Sequence, residues 1–376
     1  MTAVARVQAW LLEAPIAEPV LVAFGRMTAR PCLLVRVEDR DGAFGWGEIW
    51  CNFPASGGAH RLRLLQETLG PWLLGREADD PPAVLRDAMT AMHLLAIQSG
   101  EPGPLAQIAS GLDAALWDLK ARRAGVPLAA LLGPHGSRPV PAYASGINPV
   151  EPAATVARAR TEGYRAFKLK LGFAADAGNL ATVAAGLLPG ERLMVDLNQA
   201  WDPATARARL PELAAWPLDW IEEPIAADAA LDDWAELAGL APAPLAAGEN
   251  VASLGLFAAL IGRRILGVVQ PDIAKWGGIS LARSVARRAL AAGLHYCPHF
   301  LGGGVGLLGS AHLLAALGGD GLLEVDCNPN PLRDELVPRL RLDKRGRAHL
   351  PEGPGLGVGP EPQSLARWLV AQREMT

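Results

Sequence analysis

The sequence has few cysteines, no long uninterrupted apolar run and little net charge. Its cysteines show no Cys-x-x-Cys spacing, which argues against a disulfide framework and a thiolate zinc site. They number four in 376 residues: Cys32, Cys51, Cys297 and Cys327. The most apolar stretch, residues 254–269, is broken by Arg263 and Arg264, which argues against a membrane span.

The charge balance excludes two classes of partner. A net charge of −4 gives no basic surface of the kind that binds nucleic acid or an anionic membrane. The N-terminus lacks an apolar core followed by a small-residue cleavage site, so no secretory signal is expected and a cytoplasmic location is predicted. The composition, 50% hydrophobic and 20% charged, is that of a globular protein whose length predicts one large and one smaller domain.

The middle of the chain repeats a strand-like run about every 25 residues. The eight runs are VPAYASG, AFKLKLG, RLMVDLN, LDWIEEP, APLAAGE, GVVQPD, GLHYCPH and GLLEVD, and alanine-rich amphipathic stretches separate them. Eight such units predict a β/α barrel. An open doubly wound sheet is the alternative, but no Gly-rich turn follows the first run.

The flanking segments do not share this repeat. Near the N-terminus, two strand-like runs meet at Asp41-Gly42, which is typical of a hairpin, and a helical region follows. We therefore predict an α+β domain over residues 1–137, completed by residues 338–376, and a barrel over residues 138–337.

Charged residues stand at the predicted ends of these strands, where barrel enzymes hold their catalytic groups. The first strand offers only Tyr143 and Ser145. The others offer, in order, Lys168 and Lys170, Asp196, Glu222, Glu249, Asp272, His299 and Glu324.

Three of these acids, Asp196, Glu222 and Glu249, follow three adjacent strands. Carboxylates brought together repel one another, and a hard divalent cation relieves this, so the pattern predicts Mg²⁺ and, second, Mn²⁺. Each acid alone could equally cap a helix or pair with a lysine. Asn198 and Asn250 lie nearby and are candidates for contacts to substrate or water.

The lysines and His299 are predicted to flank these acids on opposite sides. A cation and Lys168 would lower the pKa of Lys170 toward neutrality, which suits a base. Asp272 is placed to hold the His299 ring and favour the imidazolium. His312, within an apolar run, is given a packing role instead.

Taken together in this order, the motifs KLK, DLN, IEEP, GEN, QPD with GG, and PHF resemble those of the enolase superfamily, specifically its mandelate racemase group. GWGE and LDAALWDLK resemble that family's capping domain. The resemblance implies a modified (β/α)7β barrel with an N-terminal α+β cap. It also implies Mg²⁺ ligands Asp196, Glu222 and Glu249, an acid/base pair Lys170 and His299, and Lys168 beside the substrate carboxylate.

The implied reaction removes the α-proton of a carboxylate substrate. Dehydration of a sugar acid is the first interpretation, with Glu324, if protonated, donating a hydrogen bond to the substrate carboxylate. Racemisation or epimerisation of an α-hydroxy acid is the alternative, and a non-catalytic metal-binding scaffold is a third. A homo-oligomer is expected.

Three local patterns remain. The muconate cycloisomerase group carries lysine at the end of strand six, where Asp272 stands here, and Lys275 is expected to begin the next helix. Gly302 to Gly304 predict a flexible turn rather than a phosphate loop. Residues 17–27 and 50–60 are expected to close over the substrate.

Overall fold

The computed structural model describes residues 3–22 and 25–376, with the side chains of residues 17, 18, 21 and 22 left out. The first part of the chain and its last strand form an antiparallel sheet. Helices cover this sheet, and we call the sheet and these helices the cap. Its strands, in spatial order, are β14 (Leu369–Met375), β1 (Val4–Val22), β2 (Gly25–Asp39) and β3 (Phe44–Ile49). Its helices are α1 (Gly57–Glu67), α2 (Leu69–Leu73), α3 (Pro81–Ser99), α4 (Pro102–Arg123) and α5 (Leu128–Leu132).

The predicted hairpin at Asp41-Gly42 is confirmed. Strands β2 and β3 pair antiparallel, and the Gly42 N–H donates to Asp39 O at 3.0 Å. Gly42 has a φ of 83°, which a residue without a side chain adopts at little cost.

Eight parallel strands follow, joined by seven helices. The strands are β4 (Val140–Ile147), β5 (Ala166–Lys170), β6 (Arg192–Asp196), β7 (Leu218–Glu222), β8 (Leu245–Ala247), β9 (Val268–Val269), β10 (His295–Tyr296) and β11 (Leu323–Asp326). The helices are α6 (Pro152–Thr161), α7 (Asp176–Ala185), α8 (Pro203–Arg209), α9 (Leu231–Leu240), α10 (Leu254–Gly262), α11 (Gly278–Ala291) and α12 (Gly304–Leu317), and a 3₁₀ helix (Leu210–Ala215) extends α8.

The strands are arranged as the barrel predicted from the sequence. Their ladders run without interruption from β10 through β4 to β11. Within the described ranges no ladder joins β10 to β11, where the Leu322 N–H donates to Cys297 Sγ at 3.3 Å. One buried side chain from each of the eight strand regions fills the interior: Tyr143, Ala166, Met194, Trp220, Ala246, Val268, Cys297 and Leu322.

The C-terminal chain returns to both sheets. After β11 come α13 (Pro331–Asp334), β12 (Arg341–Leu342), β13 (Arg347–His349) and a 3₁₀ helix (Pro362–Trp368). Strand β13 pairs antiparallel with β4, and β14 pairs with β1 of the cap. The boundaries near residues 137 and 338 stay predictions. None of the described helices has the length and apolar character needed to cross a membrane.

Helix α4 is one of the elements that join the cap to the barrel. On the cap side, β3 packs so closely on this helix that a Cβ at Gly47 would lie 2.0 Å from Gly111 O. On the barrel side, Asp113 of α4 accepts from the backbone N–H of Ser280 at 2.9 Å and from its hydroxyl at 2.6 Å, at the start of α11. Trp117 Nε1 donates to the same hydroxyl at 2.9 Å. The cap is therefore fixed against the helix that follows β9.

Candidate active site

Strand alternation explains the two lysines. Phe167 and Leu169 of β5 belong to the apolar core, so Lys168 and Lys170 point to the other side. Their neighbours are set by register, since Lys170 is paired with Asp196 of β6 and Asp196 with Glu222 of β7. The sequence therefore brings two ammonium groups against the carboxylates of the next two strands.

Each predicted metal ligand contacts a lysine. Lys168 Nζ lies 2.7 Å from Glu222 Oε1, and Lys170 Nζ lies 2.9 Å from Asp196 Oδ2. Lys275 Nζ lies 2.8 Å from Glu249 Oε2. The lysine pairing that the sequence left open is thus present.

The described side chains do not form a preassembled metal-binding cluster. Among residues 3–22 and 25–376, no three side chains of His, Cys, Asp or Glu are grouped closely enough to hold an ion. The assignment of Asp196, Glu222 and Glu249 as metal ligands therefore stays a prediction. We call these three residues the carboxylate arc.

The chemistry of the arc still fits a hard divalent cation. Its donors are carboxylate oxygens only, which Mg²⁺ prefers, and they follow three neighbouring strands. Asp196 and Glu222 are 2% and 1% exposed, so water cannot stabilise their charges. Burial raises the pKa of Glu222 to about 7, against the opposing effect of Lys168. A cation bound to these oxygens would offset that burial.

His299 flanks the far end of the arc. Its Nε2 lies 3.4 Å from Glu249 Oε2, and its Nδ1 lies 2.7 Å from Asp272 Oδ2. Burial lowers the pKa of His299, but Glu249, Glu324 and Asp272 raise it more, to about 10. Asp272 is itself held, because its Oδ1 accepts from the Ala274 N–H at 2.7 Å. The pairing predicted between Asp272 and His299 is present, and it favours the imidazolium.

Glu324 is surrounded by groups that favour its charged form. Its carboxylate accepts hydrogen bonds from the Ser145 hydroxyl and, at 3.2 Å, from the Phe300 N–H, and lies 2.8 Å from Lys168 Nζ. Burial raises the pKa of Glu324, but Lys168 and His299 lower it more, to about 2. With these neighbours Glu324 is an acceptor, and the hydrogen bond to substrate that depends on its protonation stays a prediction.

The pKa of Lys170 depends on its contact with Asp196 as well as on Lys168. Burial lowers it, but Asp196 raises it more, so that it lies above its ordinary value. The predicted lowering took account of Lys168 and a cation and left out the hydrogen bond to Asp196. A neutral Lys170 therefore requires that Asp196 be engaged elsewhere.

Lys275 is the clearest correction. It was expected to begin the next helix, but α11 begins at Gly278 and the Lys275 ammonium lies in the site. Besides Glu249, it donates to Asn250 Oδ1 at 2.7 Å and lies 4.9 Å from the centre of the Trp50 ring of the cap. Asn250 is thus engaged by protein groups. The segment between β9 and α11 has no periodicity that could have indicated this position.

Two further polar residues at the arc were missed. Glu223 is fully buried, and Asn250 Nδ2 donates to both of its oxygens at 3.0 and 2.9 Å. Gln270 Nε2 donates to Glu222 Oε2 at 2.7 Å. Glu223 lies in the motif EEP and Gln270 in the motif QPD, but strand alternation alone does not assign a function to either residue. Asn198, which was predicted, accepts from Lys170 and donates through its N–H to Asp196 Oδ1 at 2.8 Å.

His312 lies where the sequence predicts, whereas the turn at Gly302 to Gly304 differs from its prediction. His312 packs as expected: it is fully buried, accepts from the Ala129 N–H at 3.2 Å and contacts Leu356 O at 3.3 Å. The flexible turn predicted at Gly302 to Gly304 is instead tightly packed, since a Cβ at Gly302 would lie 2.6 Å from Glu48 Oε1. Residues 23 and 24 of the first predicted closing segment lie outside the described residues, whereas Trp50 of the second reaches Lys275.

Comparison with known families gives matches over most of the chain. The model of the mandelate racemase/muconate lactonizing enzyme N-terminal domain matches residues 6–133. The model described as enolase C-terminal domain-like matches residues 151–364. The two matches together cover most of the cap and most of the barrel, with β4 and β14 outside both ranges.

Individual relatives agree in fold and differ in reaction. The chain is 31% identical over 373 residues to a D-galactarolactone cycloisomerase of Agrobacterium fabrum (strain C58), covering 94% of this chain and 95% of the relative. A mandelate racemase/muconate lactonizing enzyme structure from Bordetella bronchiseptica RB50 is 48% identical, with a TM-score of 0.90 over 97% of this chain and 99% of the other. An L-talarate dehydratase from Polaromonas sp. JS666, complexed with Mg and L-glucarate, is 27% identical, with a TM-score of 0.83 over 100% and 99%.

Proposed function

Because the chain belongs to the enolase superfamily, in its mandelate racemase/muconate lactonizing enzyme group, we propose that it removes the α-proton of a carboxylate substrate in a Mg²⁺-dependent reaction. The substrate we propose is a sugar acid, and the reaction its dehydration. One observation carries the proposal: Lys170 contacts Asp196 at one end of the carboxylate arc, and His299 contacts Glu249 at the other. A substrate held over the arc would meet an amine from one side and an imidazole from the other.

The arc is the proposed metal site. Asp196, Glu222 and Glu249 would hold Mg²⁺, which would supply positive charge to the substrate carboxylate as the α-carbon loses its proton. Lys168 adds a fixed positive charge beside it. Relatives of known structure bind Mg, which supports the choice of ion. With Asp196 engaged as a ligand, its hold on the Lys170 ammonium weakens, which Lys170 needs in order to act as a base.

The proton transfers then follow from the two faces. Lys170 Nζ takes the α-proton, and the electron pair of that C–H bond forms the double bond to the β-carbon. The β-carbon to oxygen bond breaks, and the leaving hydroxide takes a proton from His299 Nε2 to become water. The resulting enol tautomerises to a 2-keto acid. Asp272 holds His299 through Nδ1, so that Nε2 faces the arc.

Racemisation is the second candidate. The same placement of Lys170 and His299 gives each face of an α-carbon its own base, which is what inversion needs. One relative is named as a cycloisomerase, which indicates that relatives of this chain catalyse different reactions. The cytoplasmic location and the homo-oligomer stay predictions.

A substrate screen distinguishes these candidates. L-Glucarate, galactarate, D-galactonate and both enantiomers of mandelate would be incubated with the protein and Mg²⁺, reading keto-acid formation and loss of optical rotation. We expect a keto acid from at least one polyhydroxy acid, abolished by EDTA and by Lys170→Met. Loss of rotation without keto acid would favour racemisation. If no acid in the set exchanges its α-proton with deuterated water, the proposed function is contradicted.

A further inference from the structure

The position of His299 is not set by the sheet. Strand β10 ends at Tyr296, and the last backbone bond that continues it joins the Cys297 N–H to Val269 O at 3.1 Å. His299 lies in the segment 298–303, which we call the histidine turn, between β10 and α12. Something other than strand register must therefore hold it.

Four side chains bind the backbone of the histidine turn. Glu324 accepts from the Phe300 N–H at 3.2 Å, Asn52 Nδ2 donates to Leu301 O at 2.7 Å, Asn330 Nδ2 donates to Gly302 O at 2.9 Å, and Glu48 accepts from the Gly303 N–H. Two of the four come from the barrel. The other two, Glu48 and Asn52, come from the cap and the segment that follows its strand β3.

Glu48 also binds the helix that follows the turn. Its Oε2 accepts from the Gly306 N–H at 2.9 Å, so the carboxylate lies at the N-terminus of the 14-residue helix α12, where the helix dipole favours an anion. Glu48 is 4% exposed. The glycines permit this approach, since a Cβ at Gly303 would lie 2.7 Å from Cys32 Sγ. The place that a bound phosphate could take is thus filled by the cap's own carboxylate.

We propose that Glu48 and Asn52 are positioning residues, through which the cap sets the place of the His299 imidazole relative to Asp272 and the carboxylate arc. The inference rests on the proposed acid/base role of His299. Asn52 lies within residues 50–60, the segment expected to close over the substrate. Contact between substrate and this segment is therefore transmitted to the histidine turn, while Lys168 and Lys170 remain held by β5.

Amide hydrogen exchange tests the structural half of this inference without any substrate. It would be measured by mass spectrometry on the Mg²⁺-loaded protein, comparing Glu48→Gln and Asn52→Ala with the unmodified chain. We expect peptides covering residues 300–306 to exchange about 10-fold faster in Glu48→Gln, because an amide has one acceptor oxygen where the carboxylate has two, one for the Gly303 N–H and one for the Gly306 N–H. Asn52→Ala serves the same purpose with a smaller perturbation, and decides the question if Glu48→Gln does not fold.

Asp39→Asn is the matched control. Asp39 is also a buried cap carboxylate that accepts from two backbone N–H groups, those of Asp41 and Ala43, but it lies at the far hairpin. Its replacement should speed exchange near residues 39–43 and leave residues 300–306 within about 2-fold. Unchanged exchange at 300–306 in folded Glu48→Gln and Asn52→Ala would overturn the inference.

The kinetic half uses both C2 epimers of an acid that turns over, with L-glucarate tried first and mandelate second. In deuterated water, Glu48→Gln should slow the step served by His299 by about 10- to 100-fold. KM and the α-proton exchange served by Lys170 should stay within about 2-fold. Equal losses on both faces would mean a merely structural role and overturn the proposal. If no acid exchanges even with the unmodified protein, the proposed function fails, and hydrogen exchange still decides whether Glu48 positions the turn.

Discussion

Lys168 and Lys170 stand on β5, which pairs with β6 in unbroken register over five residues, whereas His299 and Asp272 each stand three residues beyond a two-residue strand. The lysine half of the site is thus placed by backbone ladders. The histidine half is placed by side chains, two of them from the cap.

This difference has a mechanical consequence. Loss of a cap side chain that binds the histidine turn can displace that turn, but it leaves the β5–β6 pairing intact. The two halves can therefore respond differently to substrate, to mutation and to pH. The carboxylate arc, which contacts both halves, is the element they share.

The largest effect should come from a substitution in the carboxylate arc, which contacts both halves of the site. Glu222→Gln removes a central charge of the arc, so magnesium affinity should fall by more than about 100-fold and turnover should fall to background on both faces. Isothermal titration with Mg²⁺ and a circular dichroism spectrum check this. Glu212→Gln, which alters an exposed acid, is the control. Unchanged magnesium affinity in Glu222→Gln would remove Glu222 from the metal site.

A smaller effect should follow from damaging the histidine half alone. Asp272→Asn keeps the shape at the His299 Nδ1 contact but removes the charge that favours the imidazolium, so turnover should fall about 10³- to 10⁴-fold. Magnesium affinity should stay within about 2-fold, because Asp272 follows β9 and lies outside the arc. Titration and steady-state kinetics on the same preparation test both statements. A protein that instead loses its magnesium would make Asp272 a ligand.

The difference between the lysine half and the histidine half also explains which features could be predicted from the sequence. The alternation in AFKLKLG and the repeat of strand-like runs sufficed for the barrel, for the facing of Lys168 and Lys170 and for the order of the acids. Glu48 could not be found in this way, because its partner Gly303 lies 255 residues away and the contact is made by side-chain geometry. Lys275 was misplaced for a similar reason: the turn after β9 has no periodicity to indicate where its side chain points.

The smallest predicted effect on the protein concerns His312, the histidine buried in the core away from the site. Burial lowers the pKa of His312 to about 4, so between pH 6.5 and 4 the unfolded chain binds a proton that the folded chain does not. Stability from this group is complete above pH 6.5 and falls by about 3 kcal/mol as pH drops to 4. His312→Gln can keep both backbone hydrogen bonds, and should reduce this acid loss by that amount in urea unfolding. His93→Gln, at an exposed histidine, should leave the pH dependence unchanged, and an equal change in both variants would contradict the assignment.

Opposed action by Lys170 and His299 is most directly tested by α-proton exchange in deuterated water with His299→Asn and Lys170→Met. Each variant would be given both C2 epimers of an acid that turns over, and deuterium at the α-carbon would be followed by NMR. We predict that His299→Asn still exchanges the epimer served by Lys170, without turnover, and that Lys170→Met neither exchanges that epimer nor forms a keto acid from it. Loss of exchange from both epimers in His299→Asn, with magnesium binding intact, would contradict the two-sided site.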